Sequence, residues 1–282
     1  MDELLNAQSL DSYLRKNNLP LLDRFGQNFL IDENVLTQIV TATQTEPTIP
    51  VIEVGAGLGV LTKAVAQKRK SDYFAVELDK RMILLLKERV TDLPFVKIIH
   101  GDILKKSPKD FSLSSPYDVI GNIPYNITSK LLRHILSWQP QPRSITFMMD
   151  NEVAKRITAT PPDMSVLALS VQVFSDSKIV GPIISPTAFV PQPKVKSAVV
   201  RMEMRDKPLV QNELQREFFS LARGGFSQRR KTLQNSLRAL WHCTGEESAK
   251  ILKKAGIDPV RRAQTLTIAE WLNLLETKKH TL

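Results

Sequence analysis

Between residues 51 and 150, short apolar runs alternate with stretches whose apolar residues recur every three or four positions. Continuous apolar runs read as buried strands, and three-to-four spacing reads as amphipathic helix. On this basis "VIEV" (51–54), "YFAVEL" (73–78), "FVKIIH" (95–100), "YDVIG" (117–121) and "ITFMM" (145–149) are strands. Helices are expected over 60–68, 80–90 and 127–137, and again over 151–159 and 165–174. Two later strands, "KIVGPII" (178–184) and "SAVVRMEM" (197–204), are joined by the Pro-studded "SPTAFVPQPKVK". Only an irregular link separates them, so an antiparallel pair at one edge is expected. The alternation as a whole implies an α/β fold, a mainly parallel sheet with right-handed crossovers. Ahead of it, residues 3–16 read as an amphipathic helix with Leu4, Leu5, Leu10, Tyr13 and Leu14 apolar, and "RFGQNFLID" as a loop. Asp32 is placed to cap a helix carrying Val35, Leu36, Ile39 and Val40.

After residue 207 the strand pattern stops. Helical spacing covers 211–223, 227–240, 246–254 and 267–277, punctuated by Gly224-Gly225, Gly245 and Gly256. The expected domains are therefore 1–207, α/β, and 208–282, a small all-α domain. Charge sharpens this division. The 282 residues carry a net charge of +10, and 208–282 hold 13 Lys and Arg against 7 Asp and Glu, more than half the excess. A positive balance of this kind favours a polyanion, nucleic acid before an anionic membrane. "QRRK" (228–231) concentrates Arg229, Arg230 and Lys231, either as a solvated helix face or as phosphate contacts.

The single cysteine, Cys243, excludes an internal disulfide framework, and the four scattered histidines offer no zinc spacing. No metal is expected. The N-terminus lacks a signal-peptide pattern and no apolar run is long enough to span a membrane, so a cytoplasmic protein is expected.

Candidate chemistry gathers where strands end. In an open parallel sheet, ligands sit beyond the carboxyl ends of the strands. "EVGAGLG" follows the first strand, and Gly55, Gly57 and Gly59 are spaced G-x-G-x-G. The dinucleotide fingerprint needs Gly or Ala at position 60, which is Val60, so a nucleoside cofactor without a pyrophosphate fits better than NAD. Glu77 ends the second strand, where a carboxylate can accept both ribose hydroxyls. Asp79 shares its face but competes as a helix cap. Asp102 follows the third strand and can accept from an adenine amino group, while the Ile103 N–H can donate to the ring. Together these positions imply an adenosine-type cofactor laid across strand tips.

"GNIPY" closes the fourth strand on the same rim. Asn, Gly and Pro are ordinary turn residues. With S-adenosylmethionine as cofactor, however, the methyl acceptor must be presented in line to the methyl carbon. An aromatic amine is a poor nucleophile because its lone pair is spread into the ring. The Asn122 side-chain oxygen and the Ile123 carbonyl could accept both amine hydrogens and turn that lone pair out. Pro124 fixes the backbone after that carbonyl, and Tyr125 offers a stacking face worth roughly 1–3 kcal/mol.

"RFGQNFL" (24–30), "EVGAGLG", "VELD" (76–79), "GD" (101–102) and "GNIPYNIT" (121–128) resemble the ribosomal RNA adenine N6-dimethyltransferases of the KsgA/RsmA type. "AFVPQPKVKSAVVR" (188–201) and "FSQRRKTLQNSL" (226–237) match as well. The resemblance implies a class I S-adenosylmethionine-dependent methyltransferase sheet with a helical C-terminal domain. It further implies dimethylation of two adjacent adenines in the 3′-terminal hairpin loop of 16S rRNA, by a monomer acting on a pre-30S particle. Carried over by motif, Asn28, Leu30 and Gly55 would meet the cofactor's methionine end, Glu77 the ribose and Asp102 the adenine. Asn122 would meet both cofactor and target amine, with Tyr125 on one face of the target base. Phe189 would pack on the other face, or be a core residue of its Pro-rich loop. The chain departs from the family pattern at Ala56, at Asp150-Asn151 and at Gly224-Gly225. The 23S rRNA adenine methyltransferases that confer macrolide resistance share an "NIPYN"-like motif, and "QRRKTLQNSL" argues against them. An assembly factor acting by binding alone is a rival of a different class, and the intact Gly55, Glu77, Asp102 and Asn122–Tyr125 set favours catalysis over it. An NAD oxidoreductase is disfavoured by Val60 and the aromatic "NIPY" rim.

Overall fold

Caps and apolar runs account for most elements of the computed structural model, which describes residues 2–20, 26–44, 46–114, 116–228 and 230–279. The strands are β1 (Phe29–Leu30), β2 (Val51–Val54), β3 (Tyr73–Glu77), β4 (Val96–His100), β5 (Asp118–Asn122), β6 (Ser144–Asp150), β7 (Ser175–Ile184), β8 (Phe189–Val190) and β9 (Ser197–Met204). The helices of the first part are α1 (Ala7–Lys16), α2 (Glu33–Thr43), α3 (Val60–Ala66), α4 (Lys80–Arg89) and α5 (Thr128–Leu136). They are followed by α6 (Asn151–Ile157), α7 (Val166–Gln172), α8 (Asn212–Phe226), α9 (Leu233–Trp241), α10 (Gly245–Lys254) and α11 (Ile268–Lys279).

By contacts the chain divides into two units, Met1–Ala154 with Ser177–Met204, and Lys155–Asp176 with Arg205–Leu282. The first holds the sheet, in the order β4-β3-β2-β5-β6-β9-β7. β4, β3, β2, β5 and β6 run parallel, and β9 pairs antiparallel with β6. This is the mostly parallel sheet with an antiparallel edge that the alternation predicts. β2 and β3 are buried along their whole length, as their unbroken apolar runs require. Helix starts follow local chemistry: Asp32 accepts from the Asn34 and Val35 N–H groups, and Asp79 from that of Arg81. The expected "RFGQNFLID" loop contains the two-residue β1, which pairs with β8 in the Pro-rich link. Arg24 and Phe25 of that motif lie outside the described residues.

The second unit is helical and builds its core around Trp271, Phe218, Leu237 and Leu252. It differs from the sequence expectation in two places. Residues 155–176, assigned by sequence to the α/β domain, belong here, because Met164, Ala168, Leu169 and Val173 bury themselves in this core. Gly224-Gly225, expected to separate two helices, lies within α8. A Cβ on Gly224 would stand 2.5 Å from Leu240, and one on Gly225 2.4 Å from Trp271. These glycines admit neighbouring side chains against the helix backbone; they do not break the helix. α9 begins at Leu233, so Arg230 and Lys231 lie exposed on the turn after α8 instead of on a helix face. Arg229 lies outside the described residues.

Candidate active site

The parallel strand order sets the carboxyl tips of β4, β3, β2 and β5 side by side, which spans about 14 Å at ordinary strand spacing. Asp102 follows the first of these tips, Glu77 ends the second, Gly55 and Gly57 follow the third, and Asn122 ends the fourth. One cleft runs along them. It is lined by Asn28, Leu30, Gly55, Gly57, Glu77, Asp102, Ile103, Asn122, Ile123, Pro124 and Tyr125. Eleven residues singled out from separate motifs thus share one cavity.

Glu77 is held by backbone donors. Its two carboxylate oxygens accept from the Gly57 and Asp79 N–H groups, each at 2.7 Å. Burial pushes its carboxyl up, and the N–H groups of Asp79, Gly57 and Leu78 pull it back part of the way. Each oxygen keeps acceptor capacity for a ligand hydroxyl. Gly57 stands at φ +55°, in the left-handed region where a side chain is strained, and this conformation lets its N–H reach Glu77. Asp79 bonds Gln27 Nε2 (3.1 Å) and Arg81 Nε (2.9 Å). Burial would raise its carboxyl, but these bonds outweigh it and hold the group below the usual range. Asp102 caps a short 3-10 turn through one oxygen, bonded to the Leu104 N–H at 2.9 Å, and the other oxygen remains an acceptor.

The fourth tip is set by close packing. Gly121 lies against β2 so tightly that a Cβ would come within 2.5 Å of the Val54 carbonyl and 2.8 Å of Ile123. Any larger residue would push Asn122 out of line. The Asn122 amide donates through Nδ2 to the Asn28 carbonyl at 3.1 Å, which leaves Oδ1 as its acceptor end. The Ile123 N–H is bonded to Met148 O at 2.9 Å, which anchors the next carbonyl. Tyr125, half-buried, shares a 2.6 Å hydrogen bond with Ser197. Burial pushes its phenol up, with Ser197 opposing and Asp150 adding, so the ring stays neutral at pH 7.

Phe189 does not join the cleft. Pairing of β8 with β1 sets it opposite Leu30, and its fully buried ring belongs to the hydrophobic core. Of its two expected roles, the core residue is the one this structure shows. Arg230 and Lys231 lie in the second unit.

The cleft also contains residues that sequence reading passed over. Gln27 and Glu53 line it, as do Leu4 and Leu10 from the N-terminal segment. Gln27 Oε1 is buried without a hydrogen-bond partner, an acceptor suited to a ligand ammonium. Glu53 is fully enclosed, its Oε2 accepting from Thr62 Oγ1 (2.6 Å) and the Tyr73 hydroxyl (2.8 Å). Burial raises its carboxyl to about 7 against those two bonds. It was hidden because its apolar neighbours read as strand. The cleft thus presents carboxylates and amide oxygens for hydroxyls and an ammonium, backbone N–H groups, and an apolar wall. That donor and acceptor set fits an adenosyl amino acid. Among the described residues, no group of three or more His, Cys, Asp or Glu could hold a metal, and no helix is long and apolar enough to cross a membrane.

Residues 21–279 match the family described as ribosomal RNA adenine dimethylase. A relative named ribosomal RNA small subunit methyltransferase A, from Dehalococcoides mccartyi strain 195, is 41% identical over 247 residues, covering 87% of this chain and 84% of its own. Its namesake from Desulfitobacterium hafniense is 39% identical over 273 residues, covering 96% of this chain and 97% of its own. The crystal structure of the 23S rRNA methyltransferase ErmE superposes with a TM-score of 0.73 at 26% identity, over 89% of this chain and 99% of that one. A dimethyladenosine transferase from Plasmodium falciparum superposes at 0.76 and 24% identity, over 89% and 98%, and shares the fold.

Proposed function

This chain belongs to the ribosomal RNA adenine dimethylase family, and from that premise we propose that it converts two adjacent adenines in the 3′-terminal hairpin loop of 16S rRNA to N6,N6-dimethyladenine on a pre-30S particle. It is an S-adenosylmethionine-dependent rRNA adenine dimethyltransferase of the class I fold. The small-subunit substrate is supported by relatives of that name at 39–41% identity, against 26% for the 23S enzyme. We further assign it to the cytoplasm, as a monomer.

The observation that carries the reading is the orientation of Asn122. Its Nδ2 is committed to the Asn28 carbonyl, so Oδ1 is the end available to an incoming amine. In the first transfer Asn122 Oδ1 and the Ile123 carbonyl accept the two N6 hydrogens and turn the nitrogen lone pair outward. In the second they share the single hydrogen that remains, and each transfer ends with one N6 proton lost to water. Pro124 holds that carbonyl in place, and the neutral Tyr125 ring, steadied by Ser197, stacks on the base. Along the rim, Asp102 and the Ile103 N–H receive the cofactor's adenine, Glu77 its ribose hydroxyls, and Gly55, Gln27, Asn28 and Leu30 its methionine end. S-adenosylmethionine supplies an electrophilic methyl carbon on a sulfonium. The residues themselves act by position and electrostatics and need no ionised base. Arg230 and Lys231, with Arg229 beside them in sequence, are proposed to contact rRNA phosphates.

Incubation with labelled S-adenosylmethionine and immature 30S subunits from an unmethylated strain should label 16S rRNA at two adjacent adenines. Label confined to 23S rRNA would overturn the substrate assignment.

A further inference from the structure

The family match begins at residue 21, yet the segment before it is built into the wall of the cofactor cleft. Leu4 and Leu10 line that cleft together with Gly57 and Leu58. Both are almost fully buried, in a cluster with Leu14, Leu58, Met82 and Leu85. Helix α4 grips this segment at both ends through two arginines. Arg89, near the end of α4, donates to the Asp2 carboxylate at 2.7 Å, with the two side chains only 7% and 9% exposed. The same guanidinium donates through Nε to the Leu58 carbonyl at 2.6 Å, in the turn that carries Gly57, and stands 5.9 Å from the centre of the Tyr13 ring on α1. Arg81, in the first turn of α4, donates to the Pro20 carbonyl at 2.8 Å and bonds Asp79. Asp79 in turn donates its N–H to Glu77.

We propose that residues 2–20 form a strap over the cofactor site, in which Asp2 and Arg89 are positioning residues that hold Leu4 and Leu10 in the cleft wall and thereby set how long S-adenosylmethionine is retained. The inference rests on the cofactor reading above. Arg89 also meets the exposed Glu3 carboxylate at 3.3 Å, but Asp2 is its buried acidic partner. Losing the Asp2 charge therefore leaves the guanidinium under-compensated on its buried side, and the segment near Asp2 would loosen to hydrate it. Water then enters beside the Gly-rich turn, and the cofactor loses the apolar backing that Leu4 and Leu10 give the cleft. The phosphate contacts proposed above, at Arg230 and Lys231, belong to the second unit.

The test uses the full chain without RNA. Dissociation of labelled S-adenosylmethionine is followed for the wild type, Asp2→Asn, Asp2→Glu and Leu4→Ala, alongside thermal unfolding and steady-state kinetics. Asp2→Asn and Leu4→Ala should release the cofactor about tenfold faster, equal to about 1.4 kcal/mol. KM for the cofactor should rise to match, while kcat and KM for RNA stay put, and Asp2→Glu should restore retention. Wild-type release rates in folded Asp2→Asn and Leu4→Ala would overturn the strap while leaving the methyltransferase reading intact. A lower Tm with unchanged release would likewise reduce the pair to a structural role and overturn it. A wild-type chain that binds no S-adenosylmethionine would overturn the cofactor reading and the strap with it.

Discussion

Asn122 and Glu53 are both on the cleft wall, and they fare differently as sequence signals. Asn122 stands out because a polar residue ends an apolar run. Its amide orientation, which leaves Oδ1 as the free acceptor end, depends on the Asn28 carbonyl 94 residues earlier. Asn122→Ala should lower kcat by on the order of 10²–10³-fold, the usual loss for one pre-aimed polar contact, while cofactor binding stays within a few-fold by calorimetry. Normal turnover would refute the clamp. Glu53 has no such signal. Its carboxyl is raised from 4.5 to about 7 in the fold, mainly by burial. The folded chain therefore binds this proton more tightly than the unfolded one. The resulting stabilisation is complete below about pH 4.5 and disappears as pH rises through about 7. Between about pH 5.5 and pH 8.5 the wild type should lose on the order of 2 kcal/mol more stability than Glu53→Gln in denaturant titrations. Parallel pH profiles for the two proteins would show that Glu53 is not the group responsible.

At the scale of elements, local chemistry and tertiary packing can be separated. Asp32 and Asp79 cap their helices as their positions in sequence indicate, because a cap needs only neighbours two or three residues away. The short β1–β8 ladder, and which of the two readings of Phe189 holds, could not be decided locally, since pairing across about 160 residues settles both. The glycines of α8 were legible as residues and misleading as punctuation. Gly225 faces the fully buried Trp271 ring, which cannot yield, whereas Gly224 faces the terminal methyl of Leu240, a partly buried and flexible side chain that can turn aside. Gly225→Ala should therefore lower stability by on the order of 1–2 kcal/mol, overpacking outweighing the gain in helix propensity. Gly224→Ala should be close to neutral. Equal Tm shifts in the two variants would contradict this account.

At the scale of the whole molecule, the net charge of +10 points to a polyanionic partner, and the family match identifies an rRNA methyltransferase. The basic turn of the second unit is the proposed phosphate contact. Replacing Arg229, Arg230 and Lys231 by Ala should weaken rRNA binding at all sequences and reduce the slope of log K against log[salt] by about 2–3. An unchanged slope would return the cluster to a solvated surface.

The sequence by itself determined the strand–helix alternation, the sheet type, and which polar residues end each strand. Those features depend on periodicity and on contacts only a few residues long. Tertiary structure alone decided the rest. Parallel pairing set four tips in a row, so that acids and an amide from four distant motifs line one cleft. Close approach at Gly121 aimed Asn122, and burial gave Glu53 its raised carboxyl. Packing of 155–176 drew that segment out of the α/β unit, and contacts with Met82 and Leu85 of α4 set Leu4 and Leu10 at the cleft. Each of these requires residues far apart in the chain to meet, and the energies that bring them together come from burial and hydrogen bonds that exist only once the core has formed.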